Sequence, residues 1–259
     1  MRKVFIGVGH GGKDPGAVGR VKEADANLYM ALSMKEELER NGYTVGISRT
    51  KNENDPLTEE IQESNAYGAD IAVEVHNNAG GGDGFEVFVQ TNKYAAASRK
   101  LAQCIEAEVK KTGQKSRGIK TRLNGSGTDY FGWLRQNNRP AVLCEGFFVD
   151  SADAVDYDTV AEQKAYGKAY ARGVMAYFGD KPKPDNAKPT NPGAAQSFKV
   201  GDRVILNGKL ETSAYGGAEG KRTYKNYQAT ITRIVAGAKN PYLINENLGW
   251  ASSQKLKRV

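Results

Sequence analysis

Between Lys3 and Phe178, apolar β-prone runs alternate with helical stretches of about 10–20 residues, and this order constrains the fold more than any other property of the chain. Lys3–Val8 reads as an apolar strand. After a glycine-rich turn, residues 23–40 read as a helix with Leu28, Ala31, Leu32 and Leu38 on one side, stopped by Asn41-Gly42. Residues 43–47 form a second predicted strand, 57–67 a helix, 69–75 a third strand and 85–90 a further one. Residues 94–111 read as a helix, 130–136 as a short helix, 140–145 as a buried strand and 153–178 as one long helix. Such alternation predicts an α/β domain with a mainly parallel sheet and helices on both faces, its chemistry at the carboxyl ends of the strands.

The pattern stops where Pro182, Pro184, Pro189 and Pro192 punctuate a stretch with no hydrophobic period. Residues 180–197 read as a semi-extended linker between a domain at 1–179 and a second at 198–259. In the second domain, short β-prone pieces at 202–206, 228–235, 241–245 and 249–252 are separated by turns such as Asn207-Gly208 and Gly216-Gly217. No helix is expected there. A small all-β SH3-like barrel fits this grammar, with a five-stranded OB barrel as the competing reading.

The formal charge of +7 is unevenly placed. Residues 1–179 carry 23 Lys and Arg against 24 Asp and Glu, whereas residues 198–259 carry 11 against 4. Attraction for anions therefore belongs to the last quarter of the chain. Nowhere does an apolar run approach the roughly 18–20 residues of a membrane helix, so no membrane insertion is expected. The basic start Met1-Arg2-Lys3 leads into too short an apolar stretch for a secretory signal, which implies synthesis in the cytoplasm without one. Cys104 and Cys144 fall on apolar positions and are expected as reduced core thiols.

Four side chains stand out by position. His10 follows the first strand, Glu23 opens the first helix, His76 ends the third strand, and Glu145 ends the buried strand after Pro140. Two imidazoles and a carboxylate can hold a catalytic zinc with an open position for water, and a second carboxylate beside them can act as general base. Each also has an ordinary reading, the histidines as turn residues and Glu23 as a partner of the helix dipole. Glu145 resists one, because a carboxylate on an apolar strand is costly unless paired, metal-bound or open to a cleft. His10 and His76 are the only histidines in the chain, and both sit at such strand ends.

Gly7-Val8-Gly9-His10-Gly11-Gly12 satisfies the G-x-G-x-x-G pattern of dinucleotide sites. The context does not: Lys13-Asp14-Pro15-Gly16 intervenes before the helix, whose N-terminus should meet the pyrophosphate directly. No nucleotide cofactor is expected, although Arg49 in Ser48-Arg49-Thr50 could suit a 2′-phosphate.

Several segments together carry a resemblance. Val8-Gly9-His10-Gly11-Gly12-Lys13-Asp14-Pro15-Gly16-Ala17 resembles the opening motif of the zinc-dependent N-acetylmuramoyl-L-alanine amidases of the amidase-3 family. Lys22-Glu23-Ala24-Asp25-Ala26-Asn27-Leu28 is similar to that family's carboxylate-ligand segment, and Ser48-Arg49-Thr50 to its arginine turn. Ala69-Asp70-Ile71-Ala72-Val73-Glu74-Val75-His76-Asn77-Asn78 resembles the strand of the second histidine, and Arg139-Pro140-Ala141-Val142-Leu143-Cys144-Glu145-Gly146-Phe147-Phe148 the strand of the catalytic glutamate. The departures are Glu74 where the family often has Ser, Asn77 where it has a small residue, a missing helix arginine near Ile61, and a loop around Glu145 shorter by one residue.

The resemblance implies hydrolysis of the amide between N-acetylmuramic acid and L-alanine in peptidoglycan. Zn2+ would be held by His10, Glu23 and His76, with Glu145 moving the proton. Asn78 and Arg49 are candidate substrate contacts, against a turn role for Asn78 and a structural pair with Asp55 for Arg49. Asp14 is expected to shape its turn.

In the basic domain, Tyr215, Tyr224, Tyr227, Tyr242 and Trp250 accompany the positive charge, as barrel core or as exposed rings. An amidase-like neighbour favours an anionic cell-wall polymer as its partner over nucleic acid. A phage or prophage endolysin released to the wall is the leading expectation. A host autolysin or sporulation amidase of the same chemistry, or a non-catalytic wall- or nucleic-acid-binding protein, are the alternatives.

Overall fold

The computed structural model describes residues 2–183, 198–214, 219–235, 240–246 and 248–259. Most of the linker and Tyr215 lie outside them. The chain divides into two compact units, Met1–Lys183 and Pro184–Val259.

The first unit is built on a six-stranded sheet of order β2-β1-β3-β6-β4-β5. Its strands are β1 (Lys3–Val8), β2 (Thr44–Ile47), β3 (Ile71–Asn78), β4 (Phe85–Val89), β5 (Ser116–Lys120) and β6 (Ala141–Phe148). Every neighbouring pair is parallel except β4 and β6. Successive side chains of a strand point to opposite faces, and the strands sort accordingly. Val4, Ile6 and Val8, with Ile71, Val73, Val75, Val142 and Cys144, pack under α1 (Glu23–Arg40), α3 (Ala95–Lys110) and α5 (Val160–Phe178). Phe5, Ala72, Ala141 and Leu143 face the other way, against α2 (Leu57–Tyr67) and α4 (Gly132–Gln136). Cys144 is buried and Cys104 half-buried, and both are free thiols.

Three expectations need correction. The segment 153–178 is not one helix: a 3-10 turn, Ala152–Tyr157, precedes α5, which starts at a capping box. Thr159 accepts from the amide of Glu162 while the Glu162 carboxylate accepts from that of Thr159, which fixes the helix start. Strand β5 was not anticipated. Its sequence has no alternation and passes through Gly118 at φ 89°, so edge pairing to β4 rather than side-chain pattern makes it a strand. Finally, β3 and β6 run past His76 and Glu145, which therefore lie within their strands and not at the ends.

The second unit is an antiparallel sheet of order β10-β9-β8-β7-β11. The strands are β7 (Arg203–Glu211), β8 (Glu219–Ile234), β9 (Tyr242–Ile244), β10 (Gly249–Ala251) and β11 (Leu256–Arg258). Trp250 also pairs with Glu211, closing β7–β10 into a small barrel around Val204, Leu206, Ala229, Ile231 and Ile244. A 3-10 turn, Ser253–Lys255, precedes β11. This small all-β unit is consistent with the SH3-like expectation, and β8 starts nine residues earlier than the run at 228–235.

Candidate functional site

Face parity selects what meets at the sheet edge. Gly7 pairs in register with Glu74, and His76 with Glu145, which in turn lies opposite Glu86 on β4. The side chains at 74, 76, 86 and 145 thus share the face opposite α1, α3 and α5. A Cβ at Gly7 would overlap the Glu74 carboxylate, and one at Gly9 would overlap the His76 imidazole. The first two glycines of the G-x-G-x-x-G pattern therefore make room for side chains of the neighbouring strand, and Gly12 at φ 60° makes room for Asn54, with no phosphate required to explain them.

His10 leaves β1 in a left-handed conformation, φ 64°, which is uncommon for a residue with a side chain and marks a constrained position. The turn brings its ring to 4.8 Å from that of His76, centroid to centroid. Glu23, in the first turn of α1, projects between them. Its Oε1 lies 3.2 Å from His10 Nε2 and 2.9 Å from His76 Nδ1, and the backbone amide of Ala17 donates to Oε2 at 2.9 Å. One ligand atom from each of His10, Glu23 and His76 lies within 4.8 Å of the others.

The remaining ring nitrogens also face carboxylates. Asp14 Oδ2 is 2.8 Å from His10 Nδ1, and Glu74 Oε1 is 3.4 Å from His76 Nε2. Such outer partners fix which nitrogen of each ring faces a metal. Asp14 does shape its turn, accepting from Gly16 N at 3.0 Å, but its second oxygen serves His10 as well. Glu74, 1% exposed, leaves Oε2 without a hydrogen-bond donor.

The electrostatics follow from this packing. Burial pushes the Glu23 carboxyl up, but hydrogen bonds from both imidazoles outweigh it and hold it well below the ordinary carboxylate range. Burial opposes protonation of His76, yet Glu23 and Glu74 together raise it well above its usual value, and Glu23 does the same, less strongly, for His10. Burial pushes Glu145 up to about 7, against the charge of His76. A carboxyl poised there exchanges protons near neutrality.

The two candidate substrate contacts both engage groups within the protein. Arg49 is 2% exposed, and its guanidinium donates to the carbonyls of Val8, Gly9, Ala24 and Lys51. It ties the chain before His10 to the chain after Glu23. Among the described residues it forms no ion pair with Asp55, whose charge it only senses. Asn78 donates to Glu86 Oε1 at 2.9 Å and accepts from the amide of Ala79, so its amide holds the turn.

Sequence reasoning missed Glu86. Its carboxylate accepts from Arg117 Nε at 2.7 Å and from Lys120, which hold it below the ordinary range despite burial. The missing signal was strand β5, which carries both cations.

An α/β domain that gathers two imidazoles and a carboxylate near the carboxyl ends of the central strands of a mostly parallel sheet, with a further carboxylate alongside, has the donor set from which hydrolytic metal centres are built. The chain belongs to the N-acetylmuramoyl-L-alanine amidase family, whose model matches residues 4–176. It is similar to the sporulation-specific N-acetylmuramoyl-L-alanine amidase of Bacillus subtilis, with 30% identity over 78% of this chain and 75% of that one. It is also similar to the endolysin of Bacillus phage SPP1, with 31% identity over 76% of this chain and 73% of that one. Among solved structures, the N-acetylmuramoyl-L-alanine amidase from Clostridium difficile 630 superposes with a TM-score of 0.62 and 28% identity, covering 68% of this chain and 96% of that one. No helix among the described residues is long and apolar enough to cross a membrane.

Proposed function

We propose that the chain is a zinc-dependent amidase that cleaves peptidoglycan between N-acetylmuramic acid and L-alanine, and that it acts as a lytic endolysin. The observation that carries the chemistry is the approach of His10, Glu23 and His76 ligand atoms to within 4.8 Å, with Glu145 in register beside His76. The donor set fits zinc: two imidazoles whose far nitrogens face carboxylates, and a buried Glu23 kept ionised by its neighbours.

When bound, zinc supplies Lewis-acid polarisation of the scissile carbonyl and makes the attacking water more acidic. Glu145 takes a proton from that water on a carboxylate oxygen and delivers it to the amide nitrogen as the C–N bond breaks, so the peptide leaves as a neutral amine. Burial, and then the charges of Glu23 and Glu86, favour the protonated form of Glu145 from which the proton is handed on. Asp14 and Glu74 hold the imidazole orientations, and Arg49 braces the backbone beneath them.

The similarity to the phage endolysin and the separate basic barrel support the lytic reading. The barrel is proposed as a wall-binding module of SH3-like type for an anionic wall polymer. Zymography on Gram-positive walls tests the activity: clearing that a chelator abolishes and zinc restores, with new N-terminal alanine in the digest, is the expected result. Intact walls in the presence of zinc would end the enzymatic reading. Lysis of growing Gram-positive cells by added protein is the outcome the endolysin role requires, and digestion of isolated walls without lysis would return the autolysin or sporulation role.

A further inference from the structure

The barrel holds a groove of about 490 Å³ that the amidase chemistry does not use. Trp250, Tyr224 and Leu243 form its apolar part, and Lys221, Arg222, Glu246 and Glu211, the last paired with Lys255, supply its charged lining. Trp250 sits on the strand that closes the barrel, pairing with Glu211 on one side and Leu243 on the other, and it is only half-buried. Tyr224 is part of the core, and the Arg222 guanidinium lies 4.9 Å above its ring. Lys209, Lys255 and Arg258 are each matched by a carboxylate, but Lys221 and Arg222 are exposed and have no ion-pair partner among the described residues. Glu246, held in a left-handed turn at φ 60°, adds a carboxylate to the same lining.

We propose that this groove binds a glycan bearing phosphate or carboxylate groups. A sugar ring stacks on the indole of Trp250, its anionic substituent meets Lys221 and Arg222, and Glu246 accepts from sugar hydroxyls. Glu246 argues against a nucleic-acid strand, whose closely spaced phosphates it would repel without a hydroxyl-rich ring to compensate. The proposal deepens the wall-binding role given above and rests on it. It names where on the barrel the wall polymer is held and by which side chains.

The test uses the full chain in the Glu145→Gln background, so that wall degradation plays no part and binding is read whether or not the catalytic domain turns over. Trp133, buried in the first unit, and Trp250 are the only tryptophans, so a fluorescence change on binding reports the groove directly. Co-sedimentation with purified Gram-positive walls, together with a change in tryptophan emission, is the expected result. Lys221→Glu with Arg222→Glu, both at exposed positions, should weaken retention at least tenfold with the barrel still folded, and Trp250→Ala, which removes the reporter, should be read by co-sedimentation alone and weaken retention likewise. Walls stripped of their phosphate polymers separate the sources: lost binding assigns the phosphate-bearing polymer, and retained binding assigns a carboxylate-bearing wall polysaccharide. Wild-type retention by the Lys221/Arg222 variant, or an emission change given by single-stranded DNA and not by walls, would overturn the proposal.

Discussion

His76 and Glu145 face each other in register across the parallel pair β3–β6, and the pairing slips immediately afterwards, between His76 and Asn78. A slip one residue earlier would turn one of the two side chains to the opposite face of the sheet. Placed after them, it leaves the imidazole and the carboxylate on one face. Irregularities of this kind recur beside active sites, where they re-aim side chains.

The outer carboxylates should matter unequally. Loss of a hydrogen-bond partner behind a metal-ligating imidazole typically costs about 10–100-fold in affinity. Asp14 is two-thirds exposed and its contact is screened by water, whereas Glu74 is fully buried. Chelator competition should therefore show Glu74→Gln weakening zinc binding towards the upper end of that range and Asp14→Asn towards the lower. Unchanged affinity in both would remove them from the metal centre.

The metal-free protein should respond to pH in a defined window. His76 is raised above its ordinary 6.5, so its stabilisation is complete below about pH 6.5 and is lost as pH rises through its folded value. Glu23 is lowered from its ordinary 4.5, so its contribution is present above about pH 4.5 and is lost as pH falls. Between these limits the imidazoles and Glu23 support one another without a metal. Zinc must displace the imidazole protons, so its affinity climbs as pH rises through the raised histidine values. Melting with and without zinc should show a small stabilisation at pH 5.5 and a larger one at pH 8. The reverse order would contradict the protonation states assigned here.

Arg49 separates bracing from substrate contact. Its removal takes donors from the carbonyls of Val8, Gly9, Ala24 and Lys51; Gly9 keeps the Asn27 amide, so the cost of about 1–3 kcal/mol falls only on a buried carbonyl left with no other donor. Arg49→Ala should lower the melting temperature and weaken zinc retention together. Arg49→Lys should not restore either, because one ammonium cannot span the four carbonyls that the planar guanidinium reaches at once. A stable, metal-retaining variant with only a raised KM would return Arg49 to substrate binding.

What the sequence revealed, and what it hid, divides by the range of the interaction. Alternating apolar runs made the sheet and most of its helices legible, and having only two histidines directed attention to His10 and His76. The break before α5 was also written locally, as Thr159-Val160-Ala161-Glu162, and was overlooked inside a longer helical period. Other features depend on contacts no local pattern encodes. Arg49 could be placed at a strand end, but the direction of its side chain depends on Gly9 and Ala24, 40 and 25 residues away. Glu74 fits against β1 only because Gly7 lacks a side chain. Strand β5 exists through pairing alone, and with it the cations that hold Glu86 beside Glu145.

The division of labour between Glu145 and the three metal-facing residues is the centre of the account. Zinc content and release of N-terminal alanine from purified walls, measured side by side for Glu145→Gln and His76→Ala, test it most directly. Glu145→Gln should retain one zinc per chain and lose turnover by at least 100-fold, in line with the contribution of a proton-transferring group, while His76→Ala should lose both. Wild-type release of alanine by Glu145→Gln, or full zinc retention by His76→Ala, would contradict it.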